Sequence, residues 1–173
     1  MIRILALPGS LRPGSSSIHI LREMVDHAPA GVRIEIYGSI GSLPHFNDPD
    51  QIPEIVMAFK KKIEEADAIL ICTPEYAFGI PGSLKNALDW TVGSGEFLEK
   101  SVGVVTASSQ GEKGHAALLL VLAALSARVI PEACMVISAV RAKIDSFGNI
   151  SDSALRDQLS HIVTRLSASR ELK

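Results

Sequence analysis

Apolar residues along this chain follow two rhythms that take turns. Ile2–Leu7 is a short, mostly apolar run stopped by Pro8-Gly9, the pattern of a strand buried on both faces. After a Ser/Gly turn, Ile18, Leu21, Val25 and Ala28 recur at helical spacing. Val32–Tyr37 alternates and is β-branched, so it predicts a strand. A loop rich in Gly, Pro, Asn and Asp runs from Gly38 to Asp50. Asp50 is placed to cap a helix with Pro53 in its first turn and Ile55, Phe59, Ile63 and Ala66 along one face. Ala68–Cys72 predicts a third strand, ended at Thr73-Pro74. Ser83–Thr91 predicts a short helix with Leu84, Ala87 and Leu88 inward. Val102–Ala107 predicts a fourth strand, Ala116–Ala127 a helix and Val129–Ile137 a fifth strand. A polar stretch then leads to Ser151 as the N-cap of a last helix that buries Leu155, Leu159, Ile162 and Leu166.

Strands alternating with helices imply βαβ crossovers and a parallel sheet covered on both faces. No repeat or low-complexity linker breaks the pattern, so residues 1–173 are expected to form one α/β domain. Five strands suit a doubly wound, flavodoxin-like sheet of order 2-1-3-4-5 with helices on both faces. Ligands on such sheets bind beyond the carboxyl ends of the strands, where the order switches between the first and third. Three loops reach that point: Pro8–Ser17, Thr73–Gly82 and Ala107–Gly114.

Composition narrows the function classes. With 173 residues, 47% of them hydrophobic and 21% charged, the chain can bury a sizeable core and is not a disordered segment. A net charge of −2 gives no electrostatic footprint for nucleic acid or an anionic membrane. Cys72 and Cys134 lie far apart in apolar stretches, with no CxxC pair and no metal-ligand cluster, as expected of free thiols in a reducing compartment. The longest apolar run, Ala116–Leu125, is well short of the roughly 18 residues that span a bilayer. The first apolar run is too short for a signal sequence. A soluble, cytoplasmic protein without a metal site is expected.

Gly9-Ser10-Leu11-Arg12-Pro13-Gly14-Ser15-Ser16-Ser17 joins the first strand to the first helix. Main-chain N–H groups at a helix N-terminus are unpaired, and the helix dipole favours an anion there. Ser10, Ser15, Ser16 and Ser17 add hydroxyls, and Arg12 adds charge. The competing reading is a polar turn with a serine N-cap. Gly9 and Gly14 have the spacing of a P-loop, but Ser15 stands where the lysine must be, and the first lysine is Lys60. Leu11 replaces the second glycine of a GxGxxG fingerprint, and Glu35 alone is a weak ribose acid. No cysteine is there for phosphatase chemistry. What is left is a cradle for a terminal phosphate that is held but not cleaved, such as that of a mononucleotide.

Gly9-Ser10-Leu11-Arg12 with Ser15 and Ser17, then Pro74-Glu75-Tyr76, then Pro81-Gly82-Ser83-Leu84-Lys85-Asn86-Ala87-Leu88-Asp89-Trp90, resembles the NADPH-dependent FMN reductase family over roughly residues 3 to 140. The family includes flavin, quinone, azo-dye and chromate reductases. The resemblance implies that Ser10, Arg12, Ser15 and Ser17, with Ser16 in the same cradle, hold the phosphate of FMN. It implies that Pro74, Glu75, Tyr76 and Ala77 lie along the isoalloxazine ring, and that Ser108, Ser109, Gln110 and Gly111 close its other side. Two residues depart from the family's usual asparagines: Ser17 in the first loop and Ala77 after Tyr76. The first still donates to phosphate; the second leaves only backbone to orient a flavin.

A hydride-accepting ring needs a flat, largely apolar slot with a few donors at its edges. Thr73-Pro74 forces an extended turn, Gly79, Pro81 and Gly82 keep backbone near the slot, and Tyr76 and Phe78 are placed to wall it. Glu75 also reads as a structural acceptor for loop N–H groups or a partner-subunit contact. Lys85, Asn86 and Asp89 read as solvated or subunit-facing, Trp90 as a packing residue and Lys60-Lys61-Lys62 as a solvated face. His115 is a lone histidine just past the third loop.

The expected activity is a ping-pong exchange. NADPH or NADH passes a hydride to bound FMN and leaves; a small acceptor (quinone, azo dye, flavin or metal oxyanion) then takes its place. No catalytic side chain is assigned, because positioning and tuning suffice. A non-enzymatic flavodoxin-type electron carrier is the main alternative, but it needs a strongly charged docking face. A response-regulator-type domain needs an acidic cluster at the strand ends, which Leu7-Pro8 and Thr73-Pro74 do not supply. The Ala116–Leu125 segment is apolar on every side, where a sheet-covering helix needs only one stripe. That predicts a homodimer or homotetramer contact; the competing reading encloses the helix under its own C-terminal neighbour.

Overall fold

The computed structural model describes residues 1–169. Its strands β1 (Ile2–Pro8), β2 (Val32–Ile36), β3 (Ala68–Thr73), β4 (Ser101–Ala107) and β5 (Arg128–Ile137) form one all-parallel sheet of order β2-β1-β3-β4-β5. This is the flavodoxin-like topology that the alternating pattern predicts. β1, β3 and β4 are interior strands and are apolar almost throughout; β2 and β5 are edges and mix burial classes. Pro131, which donates no hydrogen bond, sits on edge strand β5 where the register with β4 shifts between Val102 and Val104.

The helices α1 (Ser16–Asp26), α2 (Glu54–Glu65), α3 (Gly82–Asp89), α4 (Glu112–Ala124) and α5 (Ser153–Ala168) divide between the two faces. One core joins Phe59 and Ile63 of α2, Leu84 and Leu88 of α3, and Leu118 and Leu122 of α4 to the sheet. The other joins Ile20, Leu21 and Met24 of α1 to Leu155, Leu159 and Leu166 of α5. α5 therefore lies across the sheet from α4 and does not enclose it, which removes that competing reading.

Other boundaries shift for local reasons. α1 buries Ser17, Ile20, Leu21 and Met24; Ile18 and Val25 are half-buried and Ala28 lies past its end. α2 takes Pro53 as its N-cap, with no side-chain cap, so Asp50 stands outside the helix. α4 starts at Glu112, earlier than its apolar run, because Gly111 in the left-handed region (φ 112°) begins the turn. Asp152, not Ser151, caps α5, its Oδ1 accepting from Leu155 N at 3.1 Å. Ser151 instead donates through N and Oγ to the carbonyl of Lys143, at 3.0 and 3.2 Å.

α3 carries more than packing. Asn86 Nδ2 donates to the Pro44 carbonyl at 3.0 Å, and Asn86 Oδ1 accepts from Phe46 N at 2.8 Å. Trp90 Nε1 donates to the same Pro44 carbonyl at 2.8 Å, and its ring meets Phe46 edge-on at 5.1 Å. Asn86 is thus a clamp on the β2–α2 connection rather than a solvated residue. Lys60 also departs from the expected solvated face: it turns to buried Glu96, 3.7 Å away, while Lys62 pairs with Glu35 at 2.8 Å. Among the described residues no helix is long and apolar enough to cross a membrane.

Replacing Asn86 by Ala strands the Phe46 amide and takes one of two donors from the Pro44 carbonyl. Urea denaturation should show a loss of about 1–2 kcal/mol. Lys85→Ala, which breaks only an exposed pair with Asp89, should stay within about 0.5 kcal/mol of the parent. Equal effects would remove the clamp from the account.

Candidate active site

The carboxyl ends of β1, β3, β4 and β5 open into a cleft of about 730 Å³, within the usual range for small-molecule sites. Its first wall is the β1–α1 loop. Gly9 passes so close to β3 that a Cβ there would lie 2.1 Å from Thr73 Oγ1. Only glycine lets β1 run on to the turn. Ser15 N donates to Arg12 O at 3.0 Å, closing a turn around Pro13-Gly14. Ser15 then caps α1, its Oγ accepting from Ile18 N at 3.3 Å. The cap uses an oxygen lone pair, so the hydroxyl proton stays free to donate. Ser16 and Ser17 occupy the first turn, where amides have no intrahelical acceptor.

The electrostatics of this wall are one-sided. α1 has no acidic residue in its first turn. Arg12 is exposed, and no carboxylate among the described residues lies within ion-pair distance of it. Ser17 lines the cleft yet is buried, and among the described residues its Oγ meets no oxygen or nitrogen partner, only the thiol of Cys72, a weak one. Burial pushes that thiol up to about 12, against the lowering effect of its hydrogen bond with Ser17. Cys72 is therefore a neutral thiol and no nucleophile. A buried hydroxyl with only a thiol beside it, free helix amides and an unpaired guanidinium together fit an anionic group bound at this end.

The β3–α3 loop makes the second wall with Pro74, Glu75 and Tyr76. Tyr76 and Gly79 exchange both backbone hydrogen bonds, at 3.0 and 2.9 Å. Ala77 (φ 49°) and Phe78 (φ 62°) between them are both left-handed, as a tight two-residue hairpin turn requires. Ala77, at the tip, is outside the cleft lining. Phe78 also faces away, under Lys113 Nζ at 4.0 Å from its ring centroid, so Tyr76 walls the cleft without it. Glu75 Oε2 accepts from Gly114 N at 2.7 Å. That carboxylate is spent on the positive end of α4, the structural role open to it in the sequence.

Ala107, Ser108 and Ser109 form the third wall. Gln110 and Gly111 lie outside the lining: the Gln110 carbonyl accepts from Ser138 Oγ at 3.1 Å, and Gly111 is buried against Thr106 and Val136. His115 is half-buried, its Nδ1 2.9 Å from Thr106 Oγ1, and desolvation lowers its pKa. Burial thus favours its neutral form, and it does not line the cleft.

A fourth wall was not legible in the sequence: His19 together with Ala139–Ala142, Ile144 and Asp145. Val140 N donates to Ser108 O and Ala139 N to Ser109 O, both at 3.2 Å, so this segment is stitched to the third wall. Asp145 Oδ1 accepts from Phe147 N and Asn149 N at 2.9 Å, and these bonds hold its carboxyl below the usual range. They shape a small hairpin bridged by Ile144 and Ile150. Gly148 (φ 91°) rests on α1, where a Cβ would lie 2.2 Å from the His19 ring. The Asp145-x-x-Gly148 spacing is the turn signal that marked it.

Among the described residues, no histidine or carboxylate is hydrogen-bonded to a cleft serine, and no group of His, Cys, Asp or Glu is arranged to hold a metal ion. The cleft is built to bind and orient, with an anion at one end and a flatter body between the second and third walls.

The comparisons with known proteins agree with that chemistry. A family model for NADPH-dependent FMN reductase matches residues 2–141. An NADPH:quinone oxidoreductase of Arabidopsis thaliana is 32% identical over 180 residues, covering 97% of this chain and 91% of the relative. An NAD(P)H-dependent FMN reductase, PA1204, of Pseudomonas aeruginosa is 32% identical over 165 residues, covering 90% and 88%. Among solved structures, FerB of Paracoccus denitrificans, a flavoenzyme NAD(P)H:(acceptor) oxidoreductase, aligns with a TM-score of 0.85 at 27% identity, covering 99% of this chain and 98% of its own.

The left-handed alanine gives a direct test of the second wall. Asparagine tolerates that region far better than alanine, so Ala77→Asn should stabilise the fold by about 1 kcal/mol. The thermal midpoint should rise by about 2–4 °C. A fall in stability would mean that the turn is not of this type.

Proposed function

This chain belongs to the NADPH-dependent FMN reductase family, and from that footing we propose that its cleft seats FMN with the phosphate at the α1 end and the ring between Tyr76 and the Ser108-Ser109 wall. The enzyme is an NAD(P)H-dependent oxidoreductase with FMN as cofactor. When bound, FMN supplies hydride acceptance from NAD(P)H and, in a separate exchange, hydride delivery to an acceptor. Everything else falls to the chain's own residues.

Ser16 and Ser17 bring free amides to the phosphate, Ser15, Ser16 and Ser17 bring hydroxyl protons, and Arg12 supplies the compensating charge. The buried Ser17 Oγ is the observation that carries this assignment: its neighbour is a thiol, and a phosphate oxygen is a far stronger acceptor for its proton. Ser17 replaces the family's usual asparagine with a shorter donor. Pro74 and Tyr76 present apolar surface to the ring, and the Ser108-Ser109 backbone is held for it from the fourth wall. With no general acid assigned, the proton that accompanies reduction comes from water. A flat quinone is the acceptor class proposed, on the strength of relatives named as quinone reductases; it stacks and needs few polar handles. The two free cysteines suit a reducing cytoplasm.

The outer face of α4 supports a homo-oligomer. Leu120 is 74% exposed there, and Leu98 is 63% exposed in a loop whose Glu99 N donates to Ser126 O just beyond the helix. A second copy of this chain is the proposed cover. Leu120→Glu should then shift the light-scattering mass toward the monomer. A parent protein that is already monomeric would remove the oligomer from the proposal.

The purified protein should show oxidised-flavin bands that NADPH bleaches without oxygen and a quinone restores. Arg12→Ala should weaken FMN binding by about 1.5–3 kcal/mol in a fluorescence titration. A protein that stays colourless with FMN added, or an unchanged affinity in that variant, sinks the placement.

A further inference from the structure

We infer that Arg141 is a second anion contact of the cleft, serving a phosphate of the incoming nicotinamide dinucleotide rather than the phosphate of FMN. The inference rests on the FMN-reductase reading above and extends it to the second substrate.

Arg141 belongs to the fourth wall, in the 3-10 turn Val140–Lys143 that follows β5. It is exposed, and among the described residues no carboxylate lies within ion-pair distance of it. The acids and cations around it are already committed. Lys143 pairs with Asp152 at 2.8 Å, Asp145 is consumed by its own turn, and Glu75 is consumed by Gly114. Arg12 and Arg141 are thus two unpaired guanidiniums lining one cleft.

They do not start from the same place. Arg12 follows β1 and Arg141 follows β5, with β3 and β4 between them. That is three strand spacings, about 14 Å at the sheet. FMN has one phosphate, and the α1 end already offers it free amides, four serine hydroxyls and Arg12. A nicotinamide dinucleotide brings a pyrophosphate, and its 2′-phosphorylated form adds a monoester. Arginine recognises either through paired N–H donors.

The base of Arg141 is also fixed in advance. Ala139 is left-handed (φ 51°), Ala142 N donates to Ala139 O at 3.0 Å, and Ala139 N and Val140 N are stitched to Ser109 and Ser108. A guanidinium held on a rigid turn loses less freedom on binding than one on a mobile loop.

The test uses FMN-loaded protein and oxidised nucleotides, so that no turnover is needed. NADP⁺ and NAD⁺ are titrated by calorimetry into the parent, Arg141→Gln and Arg141→Lys, and the FMN affinity of each apoprotein is measured by fluorescence quenching. Arg141→Gln should bind NADP⁺ about tenfold or more weakly, with FMN affinity within about twofold of the parent and partial recovery in Arg141→Lys. A loss confined to NADP⁺ upholds the inference through the 2′-phosphate; an equal loss for NAD⁺ upholds it through the pyrophosphate. Unchanged NADP⁺ affinity overturns it, as does a parallel loss of FMN. A parent protein that takes up no FMN at all sinks the reading beneath and this inference with it, a result distinct from the other two. Matching circular dichroism spectra would show that the exposed substitution leaves the fold intact.

Discussion

The cleft depends on one electrostatic imbalance, the uncompensated positive end of α1. Helix amides that lack intrahelical acceptors must find partners elsewhere. α1 has no acid in its first turn and, among the described residues, an arginine beside it without an ion-pair partner and a buried serine hydroxyl that meets only a thiol. At the α4 end of the site the helix charge is compensated from within, by Glu75. The sheet order makes the imbalance useful. β1 and β3 are neighbours, but α1 follows β1 onto one face and α3 follows β3 onto the other, so the two chain segments diverge and leave a space between them.

The same imbalance explains why the cleft binds rather than cleaves. A hydroxyl becomes a nucleophile when a base is hydrogen-bonded to it. Here no base among the described residues is hydrogen-bonded to a cleft serine: His19 lines the cleft without such a bond, and other groups are spent elsewhere. Cys72 is held protonated by burial, Glu75 faces a helix end, Asp145 shapes a turn and His115 is tied to Thr106. What the walls still offer is donors, one apolar aromatic face and two cations, which is the equipment for holding phosphates and a flat body. The difficult electron chemistry then belongs to the cofactor.

Much of this was legible before any coordinates, and the unread part has a common cause. Strand and helix periodicity is legible as a parallel sheet covered on both faces, because interior parallel strands must be apolar throughout, and order 2-1-3-4-5 follows as the doubly wound arrangement that suits five such strands. The glycine-and-serine loop is legible as the candidate anion end, although its composition also reads as a polar turn with a serine N-cap, and Ser15 does cap α1. Boundaries set by single caps were less legible: Asp50 and Ser151 are good capping residues, yet Pro53 and Asp152 took the positions. Asn86 reads as surface on a helical wheel and is a clamp, because its partners at Pro44 and Phe46 lie about forty residues away in sequence. The fourth wall is the clearest case. Arg141, Asp145 and Gly148 sit in a polar stretch with no periodicity. Only the return of that stretch toward α1, fixed by the fit of Gly148 against His19, puts Arg141 and Asp145 in the cleft.

α4 joins the cleft to the exposed leucine face. At its start, Gly114 N holds the Glu75 carboxylate and thereby the second wall, and a Cβ there would press on that wall, 3.0 Å from Glu75 Cβ and from Gly79 O. Six residues on, about 9 Å along the axis, Leu120 faces outward. A rigid helix transmits displacement along its length, so on the homo-oligomer reading a second copy packed on Leu120 would also fix the height of the Tyr76 loop over the cleft. The two-residue turn at Ala77-Phe78 is left-handed in both positions, and such turns persist only where the surroundings over-determine them. α4 is the element placed to do that: Glu75 on one side of the turn bonds to it, and Lys113 of its first turn lies over Phe78 on the other.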